Sequence, residues 1–191
     1  MRIISKQVLF MAIVTVLAGI ISLAGCSTAN QAGLTKAQQK ELRQKEDSLR
    51  VVIARKAVTD GHFIAIADQI TLRNGRVFHV NTGLNYVGLN GNEGIIQLAS
   101  NSPWIGLNGM GGVTLKGMAT DIKTSVDKKG NLSMSMRLVG SGLSSEVTLQ
   151  MPKNSNRAYV QIKGTFSFRQ LSMYCIVEPY DGTGVVEGIS L

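Results

Sequence analysis

The ionised thiol of cysteine is the strongest nucleophile among the natural side chains, and Cys26 stands where one is useful. It follows Leu23-Ala24-Gly25 at the end of an apolar stretch, Val8–Leu23, that only Thr15, Gly19 and Ser22 interrupt. Arg2 and Lys6 lie ahead of that stretch. A positive start, an apolar middle and a small-residue end make a secretory signal. A cysteine straight after it reads as a bacterial lipoprotein signal: the thiol is diacylated, residues 1–25 are removed and Cys26 becomes the new N-terminus. The competing reading is an uncleaved membrane helix. The stretch is short for a span of about 20 residues, and no basic stop-transfer cluster follows Cys26. Two or more acyl chains, at about 0.8 kcal/mol per buried methylene, hold a protein stably on a membrane. Ser27 lacks the negative charge of an Asp, the residue that signals inner-membrane retention, so the outer membrane is the expected address.

Other chemistry-bearing residues are sparse. His62 and His79 have no second His, no Cys and no carboxylate pair at ligand spacing, so no metal site is expected. The serines form no nucleophile-elbow motif. The run Gly106–Thr114 is glycine-rich, but no Lys followed by Ser or Thr completes a phosphate loop, and Thr114 replaces the last glycine of a dinucleotide fingerprint. It leads into a strand, so no helix N-terminus waits for an anion. Asp68 shares the parity of Ile64, Ile66 and Ile70, read as inward, and is better explained as a turn or edge break than as a buried acid. Cys175 sits in the apolar run Met173–Val177 and has no disulfide partner once Cys26 is acylated, so it reads as a small buried hydrophobe. Met110, Met118, Met134, Met136, Met151 and Met173 read as core filler. Trp104 follows Ser102-Pro103 in a loop and is either a lid or a contact residue. The chain is expected to be no enzyme, with no catalytic residue, cofactor or metal.

The elements that position these residues follow from periodicity. Of 191 residues, 166 remain after the leader, enough for one domain and a tether. Two basic residues leave with the leader, so 18 basic face 12 acidic residues, a net charge of +6. They are scattered and aromatics are few, which argues against nucleic acid. Residues 26–34 read as a flexible tether. Thr35 and Gln38 fit a capping box opening a helix to about Val58, within a segment 35–60. Its apolar side is thin: Leu42, Leu49, Val52, Ile53 and Ala57.

From 61 to 191 the period changes to 2 and turn residues recur. Strands are expected at Phe63–Ala67, Arg76–Val80, Leu84–Gly88, Gly94–Leu98, Gly112–Val126, Leu132–Val139, Ser144–Met151, Arg157–Gly164 and Phe166–Val177. Leu132, Met134, Met136 and Leu138 alternate with Ser133, Ser135 and Arg137, one face buried and the other wet. The apolar phase of the long strand Gly112–Val126 changes at Gly117, which suggests a bulge or bend there. Short sequential connections favour an antiparallel meander closed into a barrel over a two-sheet sandwich.

The segment Ile105–Gly117 resembles the NGxGGVTxxG core of a domain-of-unknown-function family, DUF4251, found in Bacteroidetes lipoproteins. Phe63–Asp68, Asn74-Gly75-Arg76, Asn85-Tyr86-Val87, Ile96-Gln97 and Asn156-Arg157-Ala158 fit it as well, so the likeness runs from Lys45 to Pro179. The resemblance implies a lipocalin-like barrel behind an N-terminal helix and transfers no activity. In such bacteria, surface lipoproteins often carry acidic residues after the cysteine; Ser27-Thr28-Ala29-Asn30 has none, which leans towards the periplasmic face.

The expected function is a non-enzymatic binding module for a small apolar or glycan-like ligand. The barrel mouth would be rimmed by loops Leu89–Asn92 and Trp104–Gly112, with Trp104, Asn108 and Met110 at the ligand. The alternative is a structural component of an outer-membrane protein complex. Replacing Cys26 by Ser is expected to abolish incorporation of radiolabelled palmitate and release the protein from the membrane fraction. Undiminished labelling of the variant would refute acylation at that thiol.

Overall fold

The structure is a computed structural model that describes residues 35–80, 83–99, 112–164, 170–185 and 187. The chain divides into two compact units, residues 1–44 and 45–191. In the first, the described residues open the helix α1 (Lys36–Asp60), which continues into the second. The capping box forms as its chemistry requires: Thr35 N donates to Gln38 Oε1 (3.0 Å) and Gln38 N to Thr35 Oγ1 (3.4 Å).

The second unit continues with β1 (His62–Leu72), β2 (Val77–His79), β3 (Tyr86–Asn90), β4 (Glu93–Leu98), β5 (Val113–Val126), β6 (Leu132–Gly140), β7 (Ser144–Met151), β8 (Arg157–Gly164) and β9 (Gln170–Pro179). All pairings are antiparallel. β3 to β9 follow one another as a meander, and β1 pairs with both β3 and β9, which closes an eight-stranded barrel. The ninth strand, β2, folds back on the far half of β1, pairing Gln69, Ile70 and Thr71 with His79, Phe78 and Val77.

β1 carries a bulge at Asp68, between Ala67 and Gln69. Before it, Phe63, Ala65 and Ala67 face the interior; after it, Ile70 does. Ile64 and Ile66 therefore point outward, opposite to the sequence expectation, and Asp68 is the bulged residue of an otherwise unbroken strand. The outward isoleucines stay apolar because Tyr180 and Val185, beyond β9, pack over Ile64, Ile66, Tyr86 and Ile95. Gly88 makes room: a Cβ there would stand 2.9 Å from Ile95 and 3.2 Å from the Tyr180 ring.

The interior is filled by one cluster of buried side chains, with Leu132, Met134, Met136 and Leu138 of β6 facing Val147, Leu149 and Met151 of β7 and Val160, Ile162 and Met173 beyond. Met134, Met136, Met151 and Met173 are core residues, whereas Met118 is 63% exposed. At one end Gly61, Gly91 and the loops 127–131 and 152–156 gather, and Ala54, Ala57 and Val58 of α1 join the core from there. The helix thus seats its small residues; Leu49, Val52 and Ile53, expected on the buried side, stay exposed.

β5 shifts register between Thr120 and Lys123, where Asp121 adopts φ 52°. The bulge, at Asp121 and Ile122, lies four to five residues past Gly117, the expected place. Gly117 has a different task. It lets β5 approach β6 so closely that a Cβ would stand 2.0 Å from Val139 O. From Thr120 on, β5 pairs with β6 alone among the described residues. Gly117→Ala must push two backbones apart, an overpacking strain of about 3 kcal/mol. Urea denaturation should show that loss; a midpoint equal to wild type would contradict the close approach.

Candidate functional site

Residues on neighbouring strands that pair in register share one face of a sheet. Tyr159 of β8 pairs with Tyr174 of β9, and Tyr174 with Gln69 of β1, which pairs with His79 of β2. Their neighbours Ala158, Met173 and Cys175 face the core, so this row lies on the outside of the barrel. The two tyrosine rings stand 5.3 Å apart, tilted by 59°. Tyr159 Oη donates to Ser172 Oγ (2.7 Å), which fixes its ring and leaves Tyr174 as the outer one, 48% exposed. The bulge delivers Asp68 beside this row, where it forms an ion pair with Arg157.

Asp68, Gln69, His79, Arg157 and Tyr174 enclose a shallow pocket of about 330 Å³. It offers one aromatic wall and planar polar groups that can each engage two hydroxyls. A guanidinium carries five donors and a carboxylate about four acceptor positions, so the ion pair retains capacity for a ligand. The half-exposed pair adds little stability. Among the described residues, no group of three or more His, Cys, Asp or Glu side chains gathers as a metal site.

Cys175 lies directly behind this face, buried in the core. Burial pushes its thiol up to about 12, an effect the nearby Arg157 guanidinium only partly offsets. A second outer groove, about 390 Å³, runs between β1 and residues 180–185. Here His62 Nδ1 donates to Asn90 Oδ1 (2.7 Å) and Asn90 Nδ2 to the Asp181 carbonyl (3.1 Å), and the floor is Ile64 and Ile66. Glu178 of the same groove is exposed, as its place beside Pro179 suggested.

Leu89–Asn92 turns at the helix-capped end, whereas Ala99 and Gly112, which flank residues 100–111, stand at the opposite end. The loop Trp104–Gly112 of the expected rim falls, save for Gly112, outside the described residues. Cys26, Trp104, Asn108 and Met110 lie outside the described residues. The outer pocket was missed in sequence because its five residues come from β1, β2, β8 and β9. The one available signal was Tyr159 and Tyr174, aromatic rings at wet-face parity on the strands β8 and β9.

Fold and surface together define a small closed β-barrel whose described interior is filled by side chains. The chain belongs to the DUF4251 family, a domain of unknown function, matched over residues 45–174. It is similar to the crystal structure of a DUF4251 family protein from Bacteroides eggerthii, at 34% identity and a TM-score of 0.62, over 71% of this chain and 91% of that one. A comparison with curated proteins gives no match. The family resemblance noted on the glycine core is thereby established, and with it the barrel and its N-terminal helix. In the folded protein, iodoacetamide should label Cys175 at pH 8 at least about a hundredfold more slowly than in urea, because thiolate is scarce and access is blocked. Equal rates would contradict its burial.

Proposed function

We propose that this chain is a lipid-anchored envelope protein, held by Cys26 at the outer membrane and facing the periplasm, whose barrel is a non-enzymatic binding module for a glycan-like ligand. The binding face in this reading is the outside of the barrel. The observation that carries it is the exposed Tyr174 ring beside the Asp68–Arg157 pair, Gln69 and His79, on a barrel whose described interior is filled. A pyranose ring presents an apolar C–H face and a rim of hydroxyls. The first stacks on an aromatic face, and the second pairs with planar carboxylate, amide and guanidinium groups. The apolar stretch Val8–Leu23 that ends at Leu23-Ala24-Gly25-Cys26 supports an acyl anchor for this address.

A second reading, a component of an outer-membrane protein complex, draws on the exposed apolar stripe Leu49, Val52 and Ile53 of α1. Two measurements separate the readings. The full chain should bind members of an immobilised hexose-oligosaccharide panel, and Tyr174→Ala should weaken that binding by about tenfold, or 1.4 kcal/mol. Absence of any bound oligosaccharide, or full affinity in the variant, would sink the glycan reading. If the complex reading holds instead, Leu49→Glu with Val52→Glu should strip a partner from the protein in native mass spectra of gently extracted membranes.

A further inference from the structure

The end of the barrel capped by α1 holds a second built site that the glycan reading does not use. Asp47, Val51 and Arg55 recur every four residues on α1, and Ser48 and Val52 lie beside them. This stripe faces the tips of two hairpin loops, Gly130 from one and Lys153 and Asn154 from the other, across a cavity of about 500 Å³.

The loops are fixed to one another before any ligand arrives. Asp127 Oδ1 accepts from Lys129 N and Asn131 N, both at 2.8 Å, and Asp127 Oδ2 accepts from Asn131 Nδ2 at 2.8 Å. Asn131 Oδ1 accepts from Lys153 N (3.3 Å), which ties the second loop to the first. The Asp127 carboxylate is thereby spent within its own loop, and those hydrogen bonds hold it below the usual carboxylate range.

Two cations meet at Gly130. Arg55 Nη2 donates to Gly130 O (3.0 Å). The Lys153 stem lies over the same glycine, where a Cβ would stand 2.8 Å from Lys153 Cδ. Arg55 Nη1 is buried and finds no hydrogen-bond partner among the described residues. The guanidinium lines the cavity, and a charged acceptor placed there would make its strongest hydrogen bonds. Asp47 is the one carboxylate of the lining, against Arg55 and Lys153, and Lys128 and Lys129 extend the positive charge along the exposed loop. Val51 and Val52 add an apolar wall to the charged end.

We infer that this cavity binds a phosphate group, held between Arg55 and Lys153, with Val51 and Val52 beside the stem of whatever carries it. Arg55 is oriented by Gly130 and presents a planar fork to a tetrahedral anion. Lys153 supplies a point charge from the facing loop. Val51 and Val52 favour a phosphate with an organic substituent over the bare ion.

The test is nuclear magnetic resonance of the full lipidated chain in a phosphate-free detergent, following the Arg55 Nε–H and Gly130 amide signals. The probes are inorganic phosphate and glycerophosphoglycerol, the deacylated head group of an anionic phospholipid, each against sodium chloride at matched ionic strength. A saturable shift with either probe is the expected result. A dissociation constant about tenfold lower for glycerophosphoglycerol identifies a lipid head group as the source, and the reverse order identifies free phosphate. Lys153→Gln should weaken the bound probe by about tenfold. Arg55→Lys should do the same, and Lys153→Gln carries the test if the Arg55 variant loosens the helix. No saturable shift, an equal shift with chloride, or an unchanged dissociation constant in Lys153→Gln overturns the proposal.

Discussion

The structure depends on what is asked of strand β1. It must pair along its whole length with β9 on one edge, and with β3 and then β2 on the other. A flat strand cannot turn from one partner to the next while keeping its apolar side inward. The bulge at Asp68 resolves the conflict by inserting one residue and increasing the local twist. Phe63, Ala65 and Ala67 serve the core before it, and Ile70 serves the same core after it. The residue left over by that device is a carboxylate on the outer face, where it meets Arg157 of β8. Barrel closure and the outer pocket thus have one cause.

Filling the barrel leaves the described polar clusters to its outer face and its helix-capped end. Small barrels leave an interior just wide enough for side chains. Here methionines, leucines and valines from successive strands occupy that width, and α1 adds Ala54, Ala57 and Val58 at one end. Polar residues are directed to the outside, where cross-strand rows bring tyrosine, glutamine and histidine from four strands together. The loop end under α1 obeys the same logic: its backbone is tied down by Asp127 and Asn131, which leaves Arg55 and Lys153 to face the cavity.

Much of this was legible in the sequence. Ser144–Met151 and Arg157–Gly164 form strands at the bounds that alternation alone indicates, because each has one apolar and one polar face. The helix start at Thr35 was legible for a local reason, the reciprocal Thr and Gln hydrogen bonds. The facing of β1 was not. Phe63-Ile64-Ala65-Ile66-Ala67 is apolar on both sides, since residues 180–185 cover its outer face, and periodicity cannot rank two apolar faces. The helix misled similarly: its larger residues Leu49, Val52 and Ile53 outscore the alanines in hydrophobicity, yet close approach to the barrel end requires small side chains. The outer pocket depends on register between distant strands, which no local pattern encodes.

The far half of β5 carries one more consequence. An unpaired sheet edge is a template, and copies of a chain that carry one can add to each other without limit. Among the described residues Thr120–Val126 pairs on one side only, but Asp121 at φ 52° breaks its straight run and Lys123 adds a charge. A second chain approaching it meets a kinked backbone whose donors and acceptors are out of step with its own. The distortion that tightens the barrel's curvature therefore also works against the pairing of this stretch with another chain.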